Sequence, residues 1–348
     1  MPKRSRTTLK DIAEKAGVTV ATVSLALRNH PRISAATRKR ILAIAEELGY
    51  APDPSLSALA AYRATGDGPR DITIAYLEPA EYSTGRAKLP NRQAIFQGAE
   101  SRARALGYRF EVFHYEEPEK KQQQLARVLV NRGIRHLLLA PRRYQRDRAP
   151  LAFPWEHFCT VSTMNPDRKG LLHCSIPDLT QNQFSLLRAL SGRGIGSVGL
   201  YIGEIYHAWT NESAFATRFA LHPGLDDTIR ELPPMIGPEG PDPRPFMDWF
   251  QAHRPEVVIT NIPFVLKWLA THKVRVPEDC GVAFLDTRLT EGHSGINIQP
   301  ATIGRHAVDL LHSRSLAHEF GLPEVPIRMA HIGAWVEGST LGRPELIV

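Results

Sequence analysis

Asn261 and Asp286 offer chemistry most directly in this 348-residue chain. Each follows a short apolar run that reads as a β-strand, VVIT before Asn261 and VAFL before Asp286. In open α/β sheets, ligands are met outside the carboxyl ends of the strands. An amide and a carboxylate in that position suit a small polar ligand, because each accepts from, or bridges, adjacent hydroxyl groups. Glu78, after a strand over residues 72–77, is a further candidate of the same kind.

Other chemistries are poorly served. His157 lies two residues from Cys159 and His173 adjoins Cys174, but neither pair has a second metal-spaced pair, so structural or surface roles are favoured over zinc. The three cysteines, Cys159, Cys174 and Cys280, are odd in number and contain no C-x-x-C, the pattern of free thiols in a reducing cytoplasm. Gly192, Gly194, Gly196 and Gly199 resemble a dinucleotide loop only superficially. They precede a strand, whereas a phosphate-binding loop follows one and opens a helix. There is no P-loop and no G-x-S-x-G elbow. The acidic pairs Glu116-Glu117 and Asp226-Asp227 are adjacent in sequence, so their carboxylates diverge. The chain therefore reads as a binding protein and not an enzyme, and no cofactor is expected.

The elements that position Asn261 and Asp286 alternate in type. Strands are predicted over residues 72–77, 110–114 and 134–140, with helices over 92–106 and 119–132 ended by Gly107 and Gly133. A second set follows: helices over 182–191, 246–253 and 264–271, and strands over 197–202, 257–260 and 282–285. Such alternation indicates βαβ units, parallel sheets and helices on both faces. Two successive sets imply two Rossmann-like lobes with a cleft between them. At this length two or three domains are expected, and a hydrophobic content of 43% supplies a sizeable core. No stretch approaches 18 apolar residues, and the basic start, Met1 to Arg6, has no apolar run behind it, so neither a membrane span nor a signal peptide is expected.

The charge is unevenly placed. Residues 1–63 hold eleven basic and five acidic groups, a net of +6 out of +7 for the whole chain. A basic bias confined to one end suggests a phosphate-facing surface. That end also carries Ala13, Gly17 and Val23 at the spacing A-x3-G-x5-V. In a helix-turn-helix the alanine lets the second helix approach, the glycine takes the turn and the valine closes the small core. Thr8 with Asp11 predicts a capped first helix, Thr19 caps a second from Val20 to about Arg28, and Ser34 caps a third that Gly49 stops. Further on, Asp53-Pro54 predicts the start of a helix of about two turns, too short to persist alone. The run from Thr65 to Pro69 reads as a linker.

These residues resemble the lactose-repressor (LacI/GalR) family of bacterial transcription regulators. The likeness rests on DIAEKAGVTVATVS, on Ser34 to Arg38 as S-x-x-T-R, and on Leu48 to Pro52 as L-G-Y-x-P. It implies a helix-turn-helix head joined to an α/β, two-lobed core similar to periplasmic sugar-binding proteins, built of parallel sheets. The expected layout is 1–52 for the head, 53–70 for hinge and linker, 71–175 with 300–328 for one lobe, and 176–299 with 329–348 for the other. Crossings between lobes are placed near Ile176, near Gln299-Pro300, and between Pro326 and Ala330.

The resemblance also implies roles. The helix from Val20 is the recognition helix, which such motifs lay in the major groove. Base reading falls to Val20, Ala21, Leu25 and Arg28. The family's better-known members carry larger polar groups at the first two positions, whereas Val20 and Ala21 offer apolar contacts such as those to a thymine methyl. Thr8, Thr19, Thr22, Ser24 and Ser34 are candidates for phosphate contacts, which set register without specifying sequence. Leu59, followed by Ala60, occupies the place of the leucine that family hinge helices wedge into the minor groove. In the core, Asn261 and Asp286 match positions that hydrogen-bond sugar hydroxyls. The family's third contact, an arginine, is Asn211 here, and the acid usual after Asn261 is Ile262. These departures make a typical sugar effector less secure. Trp209 could stack on a sugar face.

The implied function is that of a cytoplasmic homodimer on a pseudo-palindromic operator, a repressor governed by a sugar-like effector in the cleft through a population shift. A sugar-binding protein without regulatory DNA binding would leave the +6 head unexplained. A Rossmann-type enzyme is disfavoured by the misplaced glycines.

Overall fold

A computed structural model of the chain describes residues 7–27, 33–48, 50, 72–83, 90–142, 151–163, 171–191, 193–203, 229–238, 240–287 and 292–342. It divides into two units, Met1–Pro69 and Arg70–Val348.

In the first unit, α1 (Leu9–Ala16), α2 (Val20–Leu27) and α3 (Ala35–Glu47) pack around Ile12, Ala13, Ala16, Val23, Ala26, Ile41 and Ala45. Local chemistry fixes each end. Thr8 and Asp11 form a full capping box at the start of α1, two otherwise orphaned amides being satisfied reciprocally. Gly17 ends the helix in the left-handed region at φ 62°, where a β-carbon would be penalised. The second helix ends at Leu27 among the described residues, and Arg28 and Gly49 lie outside them.

The second unit carries two sheets. After β1 (Thr73–Pro79) come α4 (Pro90–Ala105), β2 (Arg109–Tyr115), α5 (Glu119–Asn131), β3 (His136–Leu139), β4 (Cys159–Ser162) and β5 (His173–Pro177). Then follow α6 (Leu179–Ser191), β6 (Ser197–Gly203), β7 (Arg230–Glu231), β8 (Met235–Gly237), α7 (Arg244–His253), β9 (Val257–Thr260), α8 (Phe264–Thr271), β10 (Gly281–Phe284) and β11 (Gly295–Asn297). The chain closes with α9 (Pro300–Leu316), β12 (Arg328–His331) and β13 (Ala334–Val336). The first sheet has the order β12-β5-β4-β3-β1-β2, with every pairing parallel. The second has the order β13-β11-β10-β9-β6-β7, with β8 also on β6, and only β13 runs antiparallel. The same order thus occurs twice, each time placing the lobe's first strand second from an edge.

Both faces of each sheet are covered. Tyr76, Leu138 and Val161 pack under α4 and α9, while Leu77, Leu137 and Phe158 face α5. In the second sheet Leu200, Ile259 and Ala283 meet α6, and Tyr201, Val258 and Val282 meet α7 and α8. This is why the buried strands read as continuous apolar runs and not as alternating ones.

The chain passes between sheets three times. The first passage follows β5 at Pro177, the second follows β11 and ends where α9 begins at Pro300, and the third lies between His331 and Ala334. The third is later than the expected 326–330, because β12 adds a further parallel strand to β5 before the chain leaves. The first sheet accordingly continues past residues 175 and 328. Strands β4, β5, β7, β8, β11, β12 and β13 and helix α9 were not anticipated.

Candidate nucleic-acid interface and ligand cleft

The head presents three capped helix starts. At α1, Asp11 Oδ2 accepts from the Thr8 backbone N–H (2.7 Å) and from its hydroxyl (2.8 Å). These bonds, the backbone one first, hold the Asp11 carboxyl below its usual pKa. At α2, Thr19 Oγ1 accepts from Thr22 N–H (3.2 Å) and lies 2.9 Å from Thr22 Oγ1. At α3, Ser34 Oγ accepts from Thr37 N–H (3.2 Å) and donates to Thr37 Oγ1 (2.8 Å). So Thr8, Thr19 and Ser34, singled out as phosphate contacts, are engaged as caps, and Thr22, singled out with them, is bonded to the Thr19 cap. What they offer an anion is a helix N-terminus with its remaining N–H groups and the positive end of its dipole.

On α2, Val20 is 44% exposed and Ala21 is exposed, whereas Leu25 and Ser24 are half-buried, with Leu27 packed against the core. The helix carries no charged residue. The exposed side of α2 thus offers a partner methyl groups and hydroxyls and no charge. Arg28, Leu59 and Ala60 lie outside the described residues.

In the core, polar groups stand at or near the carboxyl ends of strands in both sheets. Asn261, 6% exposed, follows β9, and its Oδ1 accepts from Gly203 N–H at the end of β6 (3.0 Å). That bond ties two neighbouring strands and leaves the Asn261 NH2 as the group available for a ligand. Asp286, 2% exposed, follows β10 and accepts a hydrogen bond from Asn91 Nδ2 in the first turn of α4. Asn91 belongs to the first lobe and Asp286 to the second, so the bond joins the two lobes. Glu78 lies within β1, one residue before its end, and not after the strand. It is buried, and its Oε1 lies 2.9 Å from Nε2 of His114, its register partner on β2. Asn211 and Trp209 lie outside the described residues. Ile262, where the resemblance led to an acid, is 1% exposed and part of the core under α8, so it is packing and not a ligand contact.

Asn91, His114, Arg92 and Tyr82 were missed. Arg92 Nη1 donates to Pro141 O, and its guanidinium sits 3.8 Å from the centroid of the Tyr82 ring. The one available signal was Pro90, a favoured first helical residue that fixes where α4 begins.

The crossings are tied together. Asp178 N–H donates to His331 O (2.7 Å), Gly333 N–H to Asn182 Oδ1 (2.6 Å), and Gln299 Nε2 to Ile332 O (3.4 Å). His331 Nε2 lies 2.7 Å from Ser175 Oγ, and its ring packs 5.0 Å from that of His306. Burial first, then the neighbouring His306, pulls the His331 pKa down.

Among the described residues no group of three or more His, Cys, Asp or Glu could hold a metal ion, and no helix is long and apolar enough to cross a membrane.

The model of the family "Bacterial regulatory proteins, lacI family" matches residues 8–53. The HTH-type transcriptional regulator GntR of Escherichia coli (strain K12) is 34% identical over 130 residues, covering 36% of this chain and 35% of that protein. The HTH-type transcriptional repressor CytR of the same strain is 53% identical over 47 residues, 14% of each chain. These curated relatives are thus matched over about a third of their length or less. Among solved structures, a lac repressor dimer bound to operator and the anti-inducer ONPF is similar at a TM-score of 0.60 and 17% identity, over 97% of this chain and 100% of that one. The transcriptional regulator CelR in complex with cellobiose is similar at 0.59 and 20%, over 96% and 100%. At such identities the likeness of the core is one of fold.

Proposed function

We propose that this chain, whose residues 8–53 are a head of the lacI family of bacterial regulatory proteins, is a sequence-specific DNA-binding transcriptional regulator controlled by a small-molecule effector. It acts as a repressor, binds a pseudo-palindromic operator as a homodimer in the cytoplasm, and carries out no catalysis. The observation that carries this reading is the pairing, in one chain, of a three-helix head with a two-sheet core whose buried Asp286 and Asn261 stand at strand carboxyl ends. A head alone would bind DNA without responding to a ligand, and a core alone would bind a ligand without addressing DNA.

Val20 and Ala21, with Leu25 and Arg28, read bases through largely apolar contacts. The capped starts of α1, α2 and α3 approach phosphates. Leu59 with Ala60 supplies a minor-groove wedge, so DNA deformability carries part of the specificity. The effector is a hydroxyl-bearing metabolite. It donates to the Asp286 carboxylate, accepts from the Asn261 NH2, and is bounded by Glu78, Asn211 and Trp209. Differential affinity of the effector for two lobe arrangements then shifts operator affinity.

The test is selection of bound duplexes from a random pool by the full chain, followed by gel shifts with sugars and related metabolites. Enrichment of a two-fold-symmetric site whose shift one compound alters supports the reading. Recovery of unrelated sequences whose binding no compound changes would overturn it.

A further inference from the structure

Asn91 and Asp286 stand 195 positions apart and on different lobes, yet they share a hydrogen bond. We propose that this pair is a ligand-displaced latch: with the cleft empty, Asn91 occupies the carboxylate that the effector needs, and holds the lobes in one relative arrangement. The inference rests on the reading of the cleft as an effector site for its consequence, whereas the latch itself needs no ligand.

Three features support it. Asn91 is rigidly presented, because the next residue, Arg92, is anchored to Pro141 O and stacked on Tyr82. Asp286 is 2% exposed, so Asn91 stands against a carboxylate with little exposure to solvent. Asn91 Oδ1 is buried and has no hydrogen-bond partner among the described residues. A buried amide oxygen without a donor is a polar deficit, so the latched pair is satisfied on one side only.

That asymmetry gives the latch its release. A ligand hydroxyl entering between the lobes donates to Asp286 in place of Asn91 Nδ2, and a second hydroxyl donates to the orphaned Oδ1. The ligand therefore gains from the unlatched arrangement a hydrogen bond that the latched one withholds, which is the differential affinity a population shift requires. The required chemistry is specific: neighbouring hydroxyl donors on one molecule. A lone acceptor, or a carboxylate facing Asp286, would leave both groups unmatched and add like-charge repulsion.

The experiment measures the inter-lobe distance in the full chain without ligand, by spin labels on Gln124→Cys in α5 and Lys267→Cys in α8, both exposed positions. The native thiols are buried, so labelling is confined to the introduced ones. Asn91→Asp, which sets two carboxylates against each other, is expected to lengthen and broaden the distance distribution at pH 8. Adding Asp286→Asn to it recreates an amide–carboxylate pair with the partners exchanged and is expected to restore the parent distribution. Asn91→Ala, which introduces no charge, is expected to broaden it without the same lengthening. Unchanged distributions in all three variants overturn the latch, as does an Asn91→Asp shift that the exchange fails to reverse. If the swap restores the distance but the chain selects no operator and answers to no metabolite, the functional reading fails and the latch stands. If an operator and an effector are found while the distances never move, the reverse holds.

Discussion

The side-chain oxygen of Asn261 accepts the backbone N–H of Gly203 at 3.0 Å, so a residue proposed for ligand recognition also fastens the end of β6 to the end of β9. Removing it leaves a buried amide without a partner, at a cost of about 1–3 kcal/mol. Asn261→Ala should therefore lower the urea midpoint of the core with no ligand present. Loss of an effector response in that variant counts as a recognition effect only beyond this baseline. An unaltered midpoint would mean that the tie is not formed in solution.

The α4–α9 contact depends on two small residues. A β-carbon on Gly304 would stand 2.0 Å from Ile95 O, and one on Gly98 would stand 2.0 Å from Ala301 O. Backbone carbonyls cannot step aside as a flexible side chain can, so the helices must separate. Gly304→Ala is expected to destabilise the core by about 1–3 kcal/mol or more, as overpacking does. A thermal melt indistinguishable from the parent would contradict this packing.

Acid should weaken the core in a defined window. His136, at the start of β3, contacts Ser315 Oγ at 2.6 Å, and its pKa is lowered to about 4, by burial first and then by His312. The folded state therefore binds fewer protons than the unfolded state between the ordinary histidine pKa and about 4. Stability is fully present above the unfolded value and is lost as pH falls through that window, by at most about 3 kcal/mol from this group. Unfolding free energies at pH 7 and pH 5 should show the loss, and His136→Gln should reduce it. Half-buried His312 and His331, lowered for the same leading reason, supply the remainder.

Thiol chemistry should be silent in the native protein. Burial raises the Cys159 and Cys280 thiols to about 12 and pushes Cys174 up as well. The thiolate is the reactive form, so titration with a disulfide reagent at neutral pH should read near zero before denaturation and three thiols per chain after it. Rapid native reaction of any one would locate an opening of its lobe.

On DNA, α2 contributes no charge, and Val20 is its exposed apolar residue nearest the helix start. Val20→Ala should weaken binding to the selected operator by about 1 kcal/mol, roughly fivefold, through lost apolar contact. It should leave binding to random duplex and its salt slope unchanged, because those report phosphate contacts. Equal losses on both DNAs would assign Val20 to folding of the head instead.

The amino-acid sequence by itself determined what short-range physics controls. The spacing of Ala13, Gly17 and Val23 and the caps at Thr8, Thr19 and Ser34 act within a few residues, so the starts of the three head helices and the end of the first were legible. The alternation of strands with helices, and the places of Asn261 and Asp286 just after their strands, were legible for the same reason. Tertiary structure alone decided the rest. Four-residue strands such as β4 carry too short a pattern to announce themselves and exist because β3 and β5 flank them. Ile262 is core because α8 lies over it, and Glu78 faces His114 because β1 and β2 pair in that register. Asn91 meets Asp286 only because two lobes, each buried around its own sheet, are packed so that the start of α4 meets the residues after β10. No periodicity along the chain encodes a contact between residues 195 positions apart.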